Sequence, residues 1–279
     1  MNLRLKVMGL ATVLGLARKG FFIPYRYAHA LPRPSARAPY ALLGDMLHTH
    51  EGDFRTLLDG MDSFIGDLKK IGRDTPPEPR WDQDWFPRLD AAAAYTLVRA
   101  GRPKHIVEVG SGHSTRFLAR AMRDGGIDGR ITAIDPRPRS SLHGIPDLEL
   151  LRAPVQEIGL QVFEDLKPGD MLFIDSSHVL MPGSDVDLLI NRALPGLPSG
   201  VLVHFHDIFL PDDYPHHWAW RGYNEQLAVA ALLTSKSYAP VFASHFVVSR
   251  MREVLSRSAV SRILRPTGAI ESSLWLRKI

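Results

Sequence analysis

Polar side chains end two predicted buried strands and could together bind a metal ion. Asp175 ends one strand, and the other ends in His204-Phe-His206-Asp207. Carboxyl ends of parallel strands meet at one edge of an open α/β sheet, where such sheets bind ligands. If the second strand ends at His206, the following loop can turn Asp207 back, and two carboxylates and one imidazole suit a divalent ion such as Mg, Mn, Fe or Zn. The alternative is that these histidines are satisfied core residues.

A glycine turn between a strand and a helix occupies residues 104–115. The apolar run His105–Val109 is followed by Gly110-Ser-Gly112 and then by a helical pattern. Glycines permit close backbone approach to a ligand, and a helix N-terminus offers free N–H groups, so this corner predicts nucleotide binding. Thr115 replaces the third glycine of the dinucleotide fingerprint, and Glu108 is a strand carboxylate that needs a partner. Both features favour a cationic, amino-acid-bearing ligand over a pyrophosphate.

Two further positions could complete a nucleoside site. Asp135 ends the second predicted strand, where a carboxylate can accept both ribose hydroxyls. Its alternative role is to cap the turn before Pro136. Val155 and Gln156 follow a short third strand and could contact an adenine ring, or they could belong to a surface loop.

Strands and helices alternate in the middle of the chain, which predicts the elements that position these residues. This pattern is typical of a mainly parallel sheet covered by helices. We predict an α/β, Rossmann-like three-layer sandwich with about seven strands that ends in an antiparallel hairpin and carries an N-terminal helical extension. The strands are expected over 105–109, 130–135, 148–151, 170–175 and 200–207, with one or two late strands over 238–248.

Segment composition divides the chain into three parts. Residues 1–75 are predicted as a helical extension, 76–250 as the central domain and 251–279 as a basic tail. Residues 75–90 are rich in proline and tryptophan, which indicates an ordered loop over the core rather than a linker. Asp90 is a plausible N-cap of the helix that follows.

Charge is distributed unevenly along the 279 residues, of which 45% are hydrophobic and none is cysteine. Residues 1–40 hold seven Lys/Arg and no Asp/Glu, residues 250–279 hold seven Lys/Arg and two acids, and the part between is acidic. An acidic core argues against nucleic-acid binding. The basic ends could pair with that core or lie on anionic lipid.

The apolar run over 7–17 loosely resembles a signal peptide, but it is too short to span a bilayer and no clear cleavage site follows. Leu3, Val7, Leu10 and Leu14 lie at helical spacing, so an amphipathic helix is the simpler interpretation. The absence of cysteine fits a reducing compartment. We therefore expect a cytoplasmic protein that could be peripheral to the inner membrane.

Several longer strings resemble a known family. They are Phe173-Ile-Asp-Ser-Ser-His, Pro182-Gly-Ser-Asp-Val, Val203-His-Phe-His-Asp-Ile-Phe-Leu-Pro and Asn224-Glu-Gln. With the Glu-x-Gly-x-Gly corner, residues 80–250 resemble class I S-adenosylmethionine-dependent methyltransferases, in a bacterial group related to macrolide sugar O-methyltransferases and cephalosporin-type methyltransferases.

The resemblance implies S-adenosylmethionine as cofactor and O-methylation of a small molecule or sugar. His178 corresponds to the general base of some relatives. Asp175, His206 and Asp207 correspond to a magnesium site of metal-dependent relatives. Those relatives have a carboxylate at the position of His206, and imidazole is a poor magnesium ligand. The resemblance therefore implies a divalent metal whose identity, Mg, Mn or Fe, stays open. The implied cofactor-binding residues are Glu108, Gly110, Ser111, Gly112, Ser114, Thr115, Asp135, Pro136, Val155, Gln156, Asp175 and Ser176.

Two alternatives to a methyltransferase stay open. An NAD-dependent oxidoreductase would share the Rossmann fold, but the chain has no Tyr-x-x-x-Lys pair and no third glycine. A non-catalytic S-adenosylmethionine-binding protein at a membrane surface would explain the basic ends and His206. Expected partners are a small-molecule or sugar acceptor and a weak membrane contact through the N-terminal helix, with no nucleic acid; a homo-oligomer is left open.

Overall fold

The computed structural model describes residues 3–72 and 75–279, and in these ranges seven strands form one sheet. The strands are β1 (His105–Val109), β2 (Arg130–Ile134), β3 (Leu148–Leu151), β4 (Met171–Ile174), β5 (Leu202–Phe205), β6 (Tyr238–Ala243) and β7 (Leu274–Lys278). Their spatial order is β3-β2-β1-β4-β5-β7-β6. The first five strands pair in parallel, and β7 is antiparallel to both of its neighbours.

Helices fill the connections. The α-helices are α1 (Leu3–Val13), α2 (Ala41–Thr49), α3 (Glu51–Ser63), α4 (Ile65–Leu68), α5 (Arg88–Gly101), α6 (His113–Asp124), α7 (Val155–Ile158), α8 (Gln161–Glu164), α9 (Asp185–Leu188), α10 (Leu194–Gly196), α11 (Glu225–Thr234), α12 (Ser244–Arg250) and α13 (Arg252–Arg257). A π-helical turn (Leu189–Ala193) joins α9 to α10, and 3₁₀ turns occupy Ala28–Ala30, Pro34–Ala36, His216–Arg221 and Ala259–Arg262.

The central strands are short because each is an apolar run bounded by polar or glycine residues. Every residue of β1, β4 and β5 is buried, as expected for strands of a parallel sheet that is covered on both faces. The predicted fold class is confirmed. One detail of it is wrong: the segment 238–248 holds only β6, because helix α12 begins at Ser244, and the antiparallel partner of β6 is β7.

The loop over 75–90 is ordered against the core, as predicted. Trp81 is buried, packs on Phe117 with ring centroids 4.9 Å apart, and donates from Nε1 to the Leu68 carbonyl. Gln83 is buried and accepts from the backbone N–H groups of Trp85 and Phe86. The prediction that Asp90 caps the next helix is wrong, because α5 begins at Arg88 after Pro87 and Asp90 lies in its first turn.

The chain divides into two compact units. The larger unit, residues 39–212 and 223–279, contains the sheet, and helices α2 and α3 contribute Leu47, Phe54, Leu58 and Met61 to its core. The smaller unit, residues 1–38 and 213–222, contains α1 and the 3₁₀ turn His216–Arg221. In the described residues, no helix combines the length and the apolarity that a membrane span requires.

Residues 251–279, for which the sequence predicts a basic tail, supply α13 and the sheet strand β7. A buried ion pair holds this segment to α5: Arg88 donates from Nε and Nη2 to the two carboxylate oxygens of Glu271, each at 2.9 Å. Glu271 also accepts from the Leu89 backbone N–H at 2.8 Å. The carboxylate of Asp62 accepts from Ser258, Ala259 and Val260.

Removing one member of the buried pair should destabilise the fold strongly. Arg88→Met leaves the buried Glu271 carboxylate with only the half-exposed Arg265, 3.7 Å away, as a cation, and we expect the free energy of unfolding in urea to fall by up to about 3–5 kcal/mol. Arg257→Met, which breaks a surface pair between Arg257 and Glu253, is the matched control and should change it little. Equal effects of the two substitutions would contradict this role of the buried pair.

Candidate active site

The glycine turn after β1 is forced into close contact with the end of β4. Gly110 has φ of 84°, and a Cβ atom there would lie 2.0 Å from the carbonyl oxygen of Asp175. Only glycine fits this position. The turn continues into α6, where the Thr115 hydroxyl accepts from the Gly112 backbone N–H at 3.0 Å. The two predicted ligand-binding strand ends are therefore adjacent.

Glu108 is a fully buried carboxylate in the middle of the sheet, next to β2 and β4. Ser114, at the start of α6, donates to its Oε1 at 2.6 Å. Burial raises the pKa of Glu108 to about 8, against the hydrogen bond from Ser114, which lowers it. Within the described residues, its second oxygen, Oε2, is buried and has no hydrogen-bond partner.

Asp135 follows β2 and holds the glycine turn from the side. Its Oδ2 accepts from the backbone N–H and the hydroxyl of Ser111, both at 2.9 Å, and its Oδ1 accepts from the Arg137 backbone N–H at 2.7 Å. Asp135 therefore caps the turn before Pro136 and also lies beside the glycine corner. Pro136, the next residue, is exposed.

Val155 and Gln156, which are predicted to contact adenine, lie at the start of α7. Val155 is buried, whereas Gln156 is exposed and donates to the Gly183 carbonyl at 3.4 Å. Ser176, just beyond β4, has a buried hydroxyl without a hydrogen-bond partner among the described residues. Ser176 and Glu108 thus both offer an unused polar atom near the turn that joins β1 to α6.

Beyond β4 and β5, side chains converge on His178. Its Nε2 lies 3.3 Å from Asp175 Oδ1 and 3.5 Å from Asp207 Oδ2, and its Nδ1 lies 2.9 Å from Glu225 Oε2. Strand β5 ends at Phe205, and Asp207 has φ of 55°, so the chain turns its carboxylate back to the sheet edge, which is the alternative expected for a strand that ends before Asp207.

His206 occupies the gap between the same carboxylates. Its Nδ1 lies 3.6 Å from Asp175 Oδ1 and 3.5 Å from Asp207 Oδ1, and its Nε2 lies 3.5 Å from Asp90 Oδ2. Asp90 is fully buried and accepts from the backbone N–H groups of Ser272 and Ser273. The Asp90 carboxylate therefore binds the backbone of the segment before β7 and lies beside His206, instead of capping α5.

His204 is a core residue rather than part of the site. It stacks on Phe173 with ring centroids 3.7 Å apart, and its Nε2 lies 2.8 Å from the Ser273 hydroxyl. Burial holds the pKa of His204 well below its usual range. The alternative of a satisfied core histidine therefore applies to His204, whereas His206 faces carboxylates.

Opposite charges set the direction of the pKa shift for three side chains of this group, which is here called the carboxylate–imidazole cluster. Its members are Asp90, Asp175, His178, His206, Asp207 and Glu225. Burial alone would lower the pKa of His178, but hydrogen bonds to Asp175 and Glu225 outweigh it and hold that pKa well above the usual range. For His206, the charges of Asp207 and Asp175 outweigh burial in the same way. Burial acts to raise the pKa of Asp175, and the two imidazoles nevertheless hold it well below its usual range.

Sequence reasoning missed two members of the cluster. Asp90 was assigned a capping role, and Glu225 appeared only inside the Asn224-Glu-Gln226 string without a function. Glu225 is fully buried, and burial raises its pKa. Tyr223, two residues earlier, places its ring 4.6 Å from that of His178. A carboxylate at the start of an otherwise apolar helix was the available signal for Glu225.

The metal prediction is not confirmed by this geometry. Asp175, His206 and Asp207 do lie together, but in the described part of the chain no group of three or more such side chains is arranged to hold a metal ion. The carboxylates of Asp175 and Asp207 instead lie 3.3–3.6 Å from imidazole nitrogens. A metal at these residues stays a prediction.

Comparison with known proteins identifies the domain. Residues 107–208 match the family model described as a methyltransferase domain. No curated protein sequence matches the chain significantly.

Solved structures of methyltransferases are similar to the chain at low identity. CmcI with Mg and S-adenosylmethionine is 15% identical, with a TM-score of 0.41 over 77% of this chain and 84% of that one. TomG from Streptomyces achromogenes is 19% identical, with a TM-score of 0.43 over 68% and 79% of the two chains. An O-methyltransferase from Bacillus cereus is 15% identical, with a TM-score of 0.39 over 80% and 90%. None of these values assigns a residue role in this chain.

The matched range begins inside β1 and ends just beyond Asp207, so it contains the glycine corner, Asp135, Asp175 and His178. The chain therefore contains a methyltransferase domain on a Rossmann-like fold, in agreement with what the resemblance implied. The match to a methyltransferase domain favours this reading over the NAD-dependent oxidoreductase alternative.

The unusual pKa of Glu108 should be visible in stability. An unfolded glutamate ionises near pH 4.5 and the folded one near pH 8, so this group lowers stability as pH rises from about 5 to about 8. Glu108→Gln removes that loss and should raise the free energy of unfolding at pH 7 by about 1–3 kcal/mol. Urea unfolding at pH 5 and pH 8 measures it.

Glu164→Gln, at an exposed position on α8, is the control and should leave both the stability and its pH dependence unchanged. A Glu108→Gln protein that is less stable than the wild type at pH 8 would show that the carboxylate is ionised and well paired in the folded state.

Proposed function

We propose that this protein transfers the methyl group of S-adenosylmethionine to a hydroxyl oxygen of a small molecule or sugar, with His178 as general base. The observation that carries the proposal is the placement of His178 at the carboxyl edge of the sheet. Its ring is buried between Glu225 on one side and Asp175 and Asp207 on the other. The edge is where open α/β sheets bind their ligands.

The residues at the glycine corner fit the cofactor. Glu108 Oε2 is a buried oxygen with no partner among the described residues, and a carboxylate is the group that would receive an ammonium ion. Gly110 leaves no space that a side chain could fill, so the backbone itself forms the wall. We infer that Glu108 and the turn Gly110–Gly112 hold the amino-acid end, that Asp135 meets the ribose, and that Val155 and Gln156 lie on the adenine side.

The remaining predicted cofactor residues fit the same assignment. Ser114 and Thr115 fix the first turn of α6 by bonding Glu108 and Gly112. Ser176 presents a buried hydroxyl with no partner in the described ranges. When bound, S-adenosylmethionine would supply a methyl group attached to a sulfonium sulfur. An oxygen that attacks the methyl carbon displaces the sulfur as a neutral thioether.

His178 supports this reaction by accepting the proton of the acceptor hydroxyl. Glu225, an acceptor when ionised, selects the tautomer with the proton on Nδ1, so Nε2 carries the lone pair that can accept. The raised pKa of His178 means that the imidazole is protonated in the resting cluster. It must lose that proton before catalysis, which predicts activity that rises with pH.

The base makes oxygen the preferred acceptor. A hydroxyl is a weak nucleophile until its proton is removed, so a buried imidazole in the site is a device suited to it. Dialysis against EDTA followed by addition of Mg, Mn or Fe tests the metal prediction, and restored activity with one of them would support it.

The assignment of Glu108 predicts a variant that folds better and binds worse. Glu108→Gln cannot balance the ammonium group, and we expect the affinity for S-adenosylhomocysteine to fall by about ten- to a hundredfold in calorimetry at pH 8. The binding loss should occur although the variant is at least as stable as the wild type, with Glu164→Gln as the control. Unchanged affinity would place the amino-acid end of the cofactor elsewhere.

The assignment of His178 predicts large kinetic effects. The acceptor is first isolated by fractionating a metabolite extract labelled with a radioactive methyl donor. His178→Gln should then lower kcat/KM by about 10²–10⁴-fold, the usual contribution of a general base. His143→Gln, at an exposed loop position, should have no effect.

Glu225 is a positioning residue, and its effect should appear in the pH profile. Glu225→Gln removes a carboxylate that raises the pKa of His178, so the limb of kcat/KM that rises with pH should move to lower pH. A purely structural role would lower kcat without moving this limb. Methylation of nitrogen in the isolated product, or full activity of His178→Gln, would contradict the proposal, and cofactor binding without any transfer would favour the non-catalytic alternative.

A further inference from the structure

The smaller unit exposes its apolar side chains. Among its described residues, 3–38 and 213–222, none is buried, and α1 has no buried position. The larger unit, in contrast, has a continuous hydrophobic core. Twelve of the nineteen large hydrophobic side chains that are exposed in the described chain lie between Leu3 and Leu31. Such a concentration of exposed apolar surface marks an interaction site.

The same unit is strongly basic. Residues 1–40 carry seven Lys/Arg and no Asp/Glu. The single acid of the unit is Asp213, and it pairs with Arg37 at 2.8 Å. A partner that covers this surface must therefore be both apolar and negatively charged.

Aromatic residues occupy the segment after α1. Phe21 and Phe22 are 52% and 67% exposed, and Tyr25 and Tyr27 follow with similar exposure. Trp220 of the same unit is also exposed. Aromatic side chains are enriched at the level of lipid headgroups, where an apolar ring and a polar edge are both satisfied.

We propose that this unit binds the surface of an anionic membrane. Helix α1 has eleven residues, too few to cross a bilayer, and apolar and basic positions lie side by side along it. It would lie in the interfacial plane, with Leu3, Val7 and Leu10 toward the acyl chains and the lysines and arginines at the headgroups. Phe21 and Phe22 insert beside it.

Charge selects the membrane over a second copy of the chain. A two-fold dimer through this face would bring the same patch of each copy together, and seven basic residues from each side would repel. A nucleic acid would satisfy the charge but would leave the aliphatic side chains of α1 without a function. Anionic lipid satisfies both.

The test uses the full chain and sedimentation with vesicles. We expect binding to vesicles of phosphatidylcholine mixed with phosphatidylserine, little binding to phosphatidylcholine alone, and loss of binding as salt is raised. Arg18→Ser combined with Lys19→Ser should weaken binding by about thirtyfold, since each basic residue near the surface contributes about one fivefold step. Phe21→Ser combined with Phe22→Ser should weaken it by at least about tenfold.

Matched controls lie in the larger unit. Leu42→Ser with Leu264→Ser removes two apolar residues that are at least as exposed as Phe21, and Arg152→Ser with Lys236→Ser removes two exposed charges. Both double variants should bind like the wild type. Equal binding to neutral and anionic vesicles, or equal losses in variants and controls, would overturn the proposal. The proposal would also be overturned if the protein failed to bind vesicles and instead formed a dimer, or bound a homopolymer RNA, and if the Phe21/Phe22 variant abolished that interaction.

Discussion

Four carboxylates can share one edge of this sheet only because two imidazoles stand between them. Like charges at this separation in a poorly solvated site would repel strongly, and each would have to be neutralised by protonation or by a cation. His178 and His206 supply the positive charge from within the chain. Each of the six side chains lies within 3.6 Å of an oppositely charged member, although they come from elements as far apart in the chain as α5 and α11.

The cluster is assembled from separate parts of the chain. Asp90 comes from α5, His178 from the loop after β4 and Glu225 from the start of α11, 47 residues after His178. Two of its members, His178 and Asp207, have φ of 59° and 55°, a backbone region that non-glycine residues rarely adopt. Residues persist there when surrounding interactions over-determine them, and the ion pairs of the cluster are such interactions.

What the sequence predicted well was local. The end of a buried strand identifies Asp175, and the step from an apolar strand into a polar loop identifies Asp207, because both signals lie within a few residues. Glu225 and Asp90 could not be placed in the same way. Their roles depend on which helices the topology brings over the sheet edge. The hydrophobic periodicity of α5 and α11 does not indicate that either helix contacts the cluster.

Strand β7 shows the same limit at the level of the fold. Its core is the short run Leu274–Leu276 inside a basic terminal segment, and composition alone favours a solvated tail there. In the sheet, Trp275 pairs with His204 and is fully buried, which gives the run its strand conformation. Tertiary burial, not local propensity, decides this element.

Glu108 and the smaller unit depart from the usual arrangement of polar and apolar residues in opposite directions. One is an acid without a complete set of partners inside the core, and the other is a set of leucines and aromatic rings left in water. Both cost free energy in the isolated protein. Locally consistent sequences avoid such costs except where a ligand completes the structure. A cation at Glu108 and an anionic apolar surface at the smaller unit would each remove one of these costs, so the two proposed partners would account for the two departures.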